Sequence, residues 1–371
     1  MKLSKYLLGD LIQQRREKNS FEGLPICGVT RDGFIPPKQQ DADTSLYNVF
    51  YKGDFVFNPA RMELNSIVFN DIYDKAICSS LYEVFYVKRT DIVVPEFLAL
   101  LVKQKWFTRY CEFLGSGSAR EYCRVANISE IEIELPSIEN QIEIAHQHRI
   151  LVERIALKKH INDNLEVTTS SIYHSLFDEQ TTWAKGNVSD LGEVVGGATP
   201  SKDVDEYFCS EGIVWLTPKD LTSTGKKFIY KGETDITEAA YRSCSTKLLP
   251  KGSVLLTSRA PVGCVAIAMT ELCTNQGFKS IIPDNEFGTA FVYYFLKENK
   301  QLLESHSSGT TFMEISGSVL KTIPAFIPPK DLTKRFSSIC EPIFAYQAQI
   351  EAEIHQLLEL QRMVSSQLSS R

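Results

Sequence analysis

Two long stretches carry a helical alternation of apolar and polar residues with almost nothing to break it. Positions 138 to 180 contain no glycine or proline, and positions 331 to 370 contain only Pro342, near their start. In the second stretch Ile343, Ile350, Leu357 and Val364 fall on one heptad position. Cys340, Ile354 and Leu368 fall on the other, with Gln347 and Gln361 interrupting it. In the first stretch the corresponding places hold Leu151, Leu165 and Ile172, then Ile155 and Leu176, while Lys158, Asn162 and Thr169 break the seam. Such spacing predicts coiled-coil helices, in which polar seam residues fix register and partner choice at some cost in stability. At 1.5 Å per residue, helices of about 40 residues are about 60 Å long. Their seams suit an antiparallel intramolecular coiled coil; the plainer alternative is two amphipathic helices, each packed on its own domain.

Elsewhere the pattern is mixed. Asn48–Tyr51, Asp54–Asn58 and Leu81–Val87 are rich in aromatic and β-branched residues and read as strands, separated by turn signals at Lys52-Gly53-Asp54, Arg31-Asp32-Gly33 and Pro36-Pro37. A helix is predicted over Pro95–Phe113, opened by proline, with Phe97, Leu98, Leu101 and Val102 on its apolar face.

The chain then repeats itself. Ser116-Gly117-Ser118, Asn127-Ile128, Ile131 and Pro136 return as Ser308-Gly309-Thr310, Val319-Leu320, Ile323 and Pro328. The copies lie about 190 residues apart and number two, which is a pseudo-dimer and not a stacked solenoid. Leu191-Gly192-Glu193 echoes Leu8-Gly9-Asp10, the segment Leu249–Leu256 echoes Phe50–Phe57, and a helix over Thr289–Leu303 echoes Pro95–Phe113. The expected organisation is a mixed α/β domain at 1–137, a long helix at 138–182, a second mixed domain at 183–329 and a second long helix at 330–371. The fold class is therefore α/β (α+β): two similar domains joined by two long antiparallel helices.

A chain of 371 residues is long enough for two domains with cores of their own, and its composition is that of an ordinary globular protein. It holds no apolar run long enough for a membrane helix. The opening residues break too early for a secretory signal, so a cytoplasmic location is expected. The nine cysteines are scattered with no Cys-x-x-Cys pair; Cys78, Cys123, Cys264 and Cys273 read as reduced, buried thiols, and no metal site is expected. His146 and His148 face apart on a helix. The net charge of −6 argues against non-specific coating of nucleic acid but leaves room for a local basic surface.

Catalytic signatures are missing. No phosphate-binding loop, dinucleotide fingerprint, His-Glu-x-x-His or Gly-x-Ser-x-Gly occurs. Asn58-Pro59-Ala60-Arg61 lacks the second proline and the aromatic that an amino-methyltransferase motif would need to stack on a flipped base. Pro283-Asp284 with Glu298 and Lys300 resembles a nuclease pattern only loosely. Glu298 and Lys300 fall on a predicted helix, where residues two apart point to different sides, and helix-surface charge is the reading preferred. No catalytic residue is expected.

Polar loops suit recognition instead. Candidates for DNA contact are Thr30, Arg31, Asn58, Arg61 and Ser79 in the first half, and Lys219, Asp220, Ser258, Arg259, Asn275 and Gln276 in the second. Arginine reads guanine, asparagine and glutamine read adenine, and lysine and backbone amides hold phosphates. A loop arginine such as Arg259 serves equally well in a surface ion pair, Asn275 can simply shape a turn, and Trp215 fits a core position better than a stacking platform.

Taken in order, these phrases make the chain resemble a specificity (S) subunit of a type I restriction-modification enzyme over nearly its whole length. The resemblance rests on the order domain, helix, domain, helix. It rests also on Leu191-Gly192-Glu193 with Gly197-Ala198-Thr199-Pro200, on Gly212–Leu216 with Lys219-Asp220-Leu221, and on Gly252–Gly263. It implies two target-recognition domains, each reading half of a split double-stranded DNA site, with the helices as a spacer that sets the gap. It implies docking of methyltransferase (modification) subunits and possibly restriction subunits; S-adenosylmethionine, ATP and Mg are expected on those partners and no cofactor in this chain. Two departures stand out: the chain starts at once with Leu7-Leu8-Gly9-Asp10, and the first half lacks the Thr-Pro phrase of Thr199-Pro200. The alternative outside this family is a coiled-coil scaffold with two protein-binding domains.

Overall fold

The computed structural model describes residues 3–37, 43–115, 122–178, 183–223, 225–259, 261–307, 313–366 and 368. The repeat landmarks Ser116-Gly117-Ser118 and Ser308-Gly309-Thr310 lie outside the described residues. The chain divides into two compact units, Met1–Ala156 with Gln356–Arg371, and Leu157–His355. Two long helices, Ile138–Phe177 and Lys330–Ser366, each contribute one part to each unit. Pro342 lies well inside the second helix and not near its start; it is exposed, where a missing N–H donor is tolerated at the smallest cost.

The first unit is built on two four-stranded sheets. One runs Ile12–Arg15, Glu83–Val87, Asp54–Phe57, Val68–Phe69, all antiparallel. The other runs Gly33–Ile35, Ile26–Thr30, Lys75–Cys78, Asn48–Tyr51, with Ile26–Thr30 and Lys75–Cys78 parallel. The first sheet buries Phe55 and Phe85, whose rings stack at 4.8 Å, against Leu98, Ile128 and Ile133. Ile144 of the first long helix belongs to this core, and Val364 of the second and Leu368 just beyond its end pack on it.

The second unit follows a similar plan with additions, among them the short helices Pro218–Thr222 and Glu238–Ser243 and a fifth strand in the larger sheet. Its larger sheet runs Gly192–Gly196, Lys279–Pro283, Val254–Leu256, Val265–Ala268, Phe228–Ile229. The fifth strand, Phe228–Ile229, has no counterpart among the described strands of the first unit's matching sheet. The smaller sheet runs Phe208–Cys209, Thr234–Ile236, Ile213–Leu216, Cys273–Thr274, again with one parallel pair. In each unit a short antiparallel ladder joins the first strand to the strand leading into a long helix: Ser4–Leu7 with Glu132–Leu135, and Ala184–Asn187 with Pro324–Ile327.

The ladders correct one sequence match. Leu8 donates its N–H to Ile131 O, and Val188 donates to Ile323 O, each directly after its first strand. Leu8-Gly9-Asp10-Leu11 therefore corresponds to Val188-Ser189-Asp190-Leu191, and Leu191 matches Leu11, not Leu8. Gly9 and Gly192 are unrelated: a Cβ at Gly9 would meet Ser129, one at Gly192 the carbonyl of Ile282.

Both predicted shorter helices are split. Pro95–Val102 is followed by Lys105–Gly115, and Gly288–Glu298 by Lys300–Ser305. Of the seam residues, Ile155, Cys340, Ile350 and Leu357 are buried, whereas Leu151, Leu165, Ile172, Leu176, Ile343, Ile354, Val364 and Leu368 are half-buried. Cys264 is half-buried, unlike the buried Cys78, Cys123 and Cys273. Within the second unit the helix partners run in opposite directions: Lys158 meets Glu353 at 2.6 Å, Glu166 meets Gln347 at 3.3 Å, and Tyr173 meets Phe336. Within the first, Gln361 lies 3.3 Å from His148.

Candidate nucleic-acid interface

In both units a parallel strand pair delivers two candidate loops at the same end of a sheet. In the first unit Ile26–Thr30 leads into Thr30-Arg31-Asp32-Gly33, and Lys75–Cys78 leads into Ser79. In the second, Ile213–Leu216 leads into Thr217-Pro218-Lys219-Asp220, and Cys273–Thr274 into Asn275-Gln276-Gly277. Loops beyond the carboxyl ends of parallel strands are common places for ligand contact.

Most first-unit candidates spend their side chains on the backbone. Thr30 Oγ1 donates to Gly33 O at 3.0 Å, and Ser79 Oγ accepts from Leu81 N at 3.3 Å. Asn58 Oδ1 accepts from Ala60 N at 3.0 Å, capping the short helix Pro59–Leu64. Arg31 and Arg61 are exposed. Lys103 donates to the carbonyls of Arg31, at 2.8 Å, and Asn65. Burial pushes Lys103 down to about 8, with Asp32 opposing.

The second-unit loops are tied into one cluster. Asn275 N donates to Leu216 O at 2.9 Å, and Asn275 Oδ1 accepts from Gly277 N at 2.8 Å. Ser258 N donates to Gly277 O, and Ser258 O accepts from Ile315 N. Trp215 is buried and donates Nε1–H to Ala198 O at 3.1 Å, a core role. Gly197 must be glycine, since a Cβ there would fall 2.2 Å from the carbonyl oxygens of Thr274 and Asn275. That close approach places Thr199 beside Gln276, to which its hydroxyl donates. Ser258 is fully buried. Asp220 serves as a clamp, its carboxylate accepting from Thr217 N at 2.7 Å and Glu233 N at 2.8 Å. Lys219 pairs with Glu233 at 2.9 Å and Arg259 with Glu314 at 3.0 Å; both cations remain exposed. Gln276 is exposed on the same cluster, and burial pushes the neighbouring Lys279 down.

A basic groove of about 470 Å³ in the first unit escaped sequence reading. Arg15, Arg16, Lys18 and Arg124 line it together with Tyr82, Tyr122 and the single acid Glu83. Arg15 is anchored, with Nε 2.6 Å from Asp54 and its guanidinium 4.8 Å from the ring centroids of Tyr51 and Tyr86. The hydrogen bond to Asp54 raises its pKa. Lys18 donates to Asn48 Oδ1 at 2.7 Å, and Arg124 lies over the Tyr122 ring. Glu83 is engaged by Val125 N at 2.6 Å. Cations interleaved with aromatic faces suit a nucleic-acid backbone and its bases. The signal available in sequence was the run Arg15-Arg16-Glu17-Lys18 on and just beyond a strand.

The family model described as "Type I restriction modification DNA specificity domain" matches residues 34–167 and 180–360, and the chain belongs to that family. The type I restriction enzyme MjaIX specificity subunit of Methanocaldococcus jannaschii is 42% identical over 159 residues, which are 42% of this chain and 37% of that protein. The chain thus spans little more than a third of that relative. The type I restriction enzyme HindI specificity subunit of Haemophilus influenzae is 22% identical over 453 aligned positions, 98% of each chain. The crystal structure of the type I restriction-modification system S subunit from M. genitalium shares the fold, with a TM-score of 0.66 at 15% identity over 99% of this chain and 96% of that one.

Proposed function

We propose that this chain is the DNA-reading specificity subunit of a type I restriction-modification complex, each unit reading one half of a split double-stranded site. The observation that carries this reading is the duplicated plan: two units of one design, each presenting two recognition loops from a parallel strand pair. The basic groove of the first unit supplies phosphate contact. Base reading falls to the exposed Arg31, Arg61, Arg259 and Gln276, while Thr30, Asn58, Ser79, Asp220, Ser258 and Asn275 shape the loops that hold them.

The chain performs no chemistry in this reading. Methyltransferase subunits, and restriction subunits where present, bring S-adenosylmethionine, ATP and Mg. Exposed Ile142, Ile150 and Val152 on the first unit's part of the first long helix suit such a protein partner. No described helix is long and apolar enough to cross a membrane, and a subunit that reads genomic DNA is expected beside the genome, in the cytoplasm.

The test is a map of N6-methyladenine across the source genome, with this gene present and deleted. Loss of one split motif with a fixed gap is the expected result. Unchanged methylation beside an active adenine methyltransferase gene overturns the reading.

A further inference from the structure

A lysine is buried where the second unit meets both of its helices. Lys227 precedes the strand Phe228–Ile229, and its carbonyl accepts from Ile267 N at 2.8 Å, tying it to the sheet. Its side chain is 7% exposed. The ammonium has three donors, and three acceptors surround it: Glu166 Oε2 at 2.8 Å, Gln347 Oε1 at 3.0 Å and Tyr294 Oη at 3.4 Å. It also lies 3.7 Å from the ring centroid of Phe344. Glu166 belongs to the first long helix and Gln347 to the second. Gln347 donates back to Asn162 O at 3.4 Å, and Glu351 accepts from the N–H groups of Lys227 and Phe228.

We propose that Lys227 is a positioning residue that fixes the register of the two long helices beneath the second unit and, through it, the gap of the split DNA site. The second half of that statement rests on the function proposed above. Sliding one helix by a turn would carry Gln347 about 5.4 Å away and leave a buried charge short of an acceptor. Apolar seams tolerate such slips, whereas a buried polar contact specifies one register. A buried ion cluster is weak evidence for stability, and the register role is its best-attested use.

The device is one-sided. Counting from the matched prolines Pro136 and Pro328, Gln347 corresponds to Ile155 and Glu166 to Leu358, both apolar. The strand that brings Lys227 into place has no counterpart among the described residues of the first unit. The two helices are thus registered by the second unit.

The test replaces the cluster by apolar side chains in the full chain: Lys227→Met, Glu166→Leu and Gln347→Leu together. Register is read by cysteine crosslinking, with Lys158→Cys paired either with Glu353→Cys, in register, or with Gln349→Cys, one turn away. Peptide mass spectrometry identifies the joined pair. With the cluster intact only the in-register pair joins; in the apolar variant both pairs join in comparable yield, with thermal stability kept or raised. A folded variant that joins only the in-register pair overturns the proposal. Should the triple variant fail to fold, Lys227→Met alone, which leaves Glu166 with Lys297, carries the same crosslinks. In the assembled complex, register loss spreads methylation to motifs whose gap differs by about one or two base pairs, the span of one helical turn. Absence of any split motif with the unaltered chain rejects the DNA reading and leaves the crosslinks to judge the register role. Register loss with an unchanged gap rejects the link between them.

Discussion

Gly53 and Gly252 hold the same backbone angle, φ 90°, at the same turn of two successive copies of one design. Each precedes a central strand of its unit, and each donates its N–H to a neighbouring segment, Gly53 to Asn70 O and Gly252 to Ala268 O, both at 2.8 Å. A side chain is strained at that φ. Gly53→Ala, with open space around its new Cβ, is expected to cost about 1 to 2 kcal/mol from the backbone alone. Gly252→Ala should cost more, because its Cβ would lie 3.0 Å from Thr289 Oγ1, which is held by a 2.7 Å hydrogen bond to Gly252 O. Urea unfolding of the two variants checks the order.

Arg15 is expected to be structural before it is functional. Arg15→Met strands Asp54, which is 2% exposed and keeps only Tyr51 N among its closest donors. The loss should be about 3 kcal/mol, toward the low end for a buried pair because the arginine is a quarter exposed. Arg15→Lys should not restore it, since the bidentate fit and the stacking between Tyr51 and Tyr86 need a planar guanidinium. Chemical denaturation of the three proteins decides.

Arg16 and Arg124 should act on DNA without affecting the fold. Changing either to glutamine is expected to weaken binding of the assembled complex uniformly across sequences and to lower the salt slope by about 1 per residue. Gln276→Ala should instead relax preference at one base position of the second half-site, at about 1 to 3 kcal/mol. Binding isotherms at several salt concentrations, on matched and mismatched duplexes, separate the two behaviours.

The long helices were legible because an apolar period runs through stretches with no glycine and only Pro342, and the strands around Val49, Val56 and Phe85 because β-branched and aromatic residues cluster there. The breaks at Lys103-Gln104 and after Glu298 were not, because tertiary packing ends those helices without a proline or glycine. Matching Gly9 with Gly192 failed because glycine is forced at both by close backbone approach, from different neighbours. Thr169 and Gln347 looked like defects in a seam. Thr169 is fully buried against the Tyr294 hydroxyl and Gln347 against Lys227, partners that lie far away in sequence. Of the candidate contacts, the loops were legible from their polar turn residues; the groove was not, because Arg15 and Arg124 meet only once the sheet forms.

Acid should weaken the second unit selectively. Burial alone would raise the Glu166 carboxyl above its ordinary 4.5, but Lys227 and Lys297 outweigh it and hold it at about 2. A depressed carboxylate contributes stability above its unfolded pKa and loses it as pH falls through the folded value, so the window is about pH 4.5 down to 2. The contribution is at most roughly 3 kcal/mol. Wild type should therefore lose more stability than Glu166→Gln between pH 5 and pH 3, narrowing the gap between them. Parallel urea titrations at the two pH values measure it; a constant difference refutes the assignment.

The extra strand Phe228–Ile229 makes the two halves unequal as exchangeable parts. A foreign first half needs to supply an apolar surface for Ile144, Val364 and Leu368, and backbone groups such as those of Ile92 and Val94 for the buried Gln141, which any side chain at those positions can offer. A foreign second half inherits a socket cut for one particular lysine, with Glu166 and Gln347 waiting in the helices. Chimeras, whether assembled at the bench or by recombination between related genes, therefore have asymmetric seams. Crossovers that keep residues 166 to 351 as one inheritance block preserve the fit, and those falling inside that block split a lock from its key.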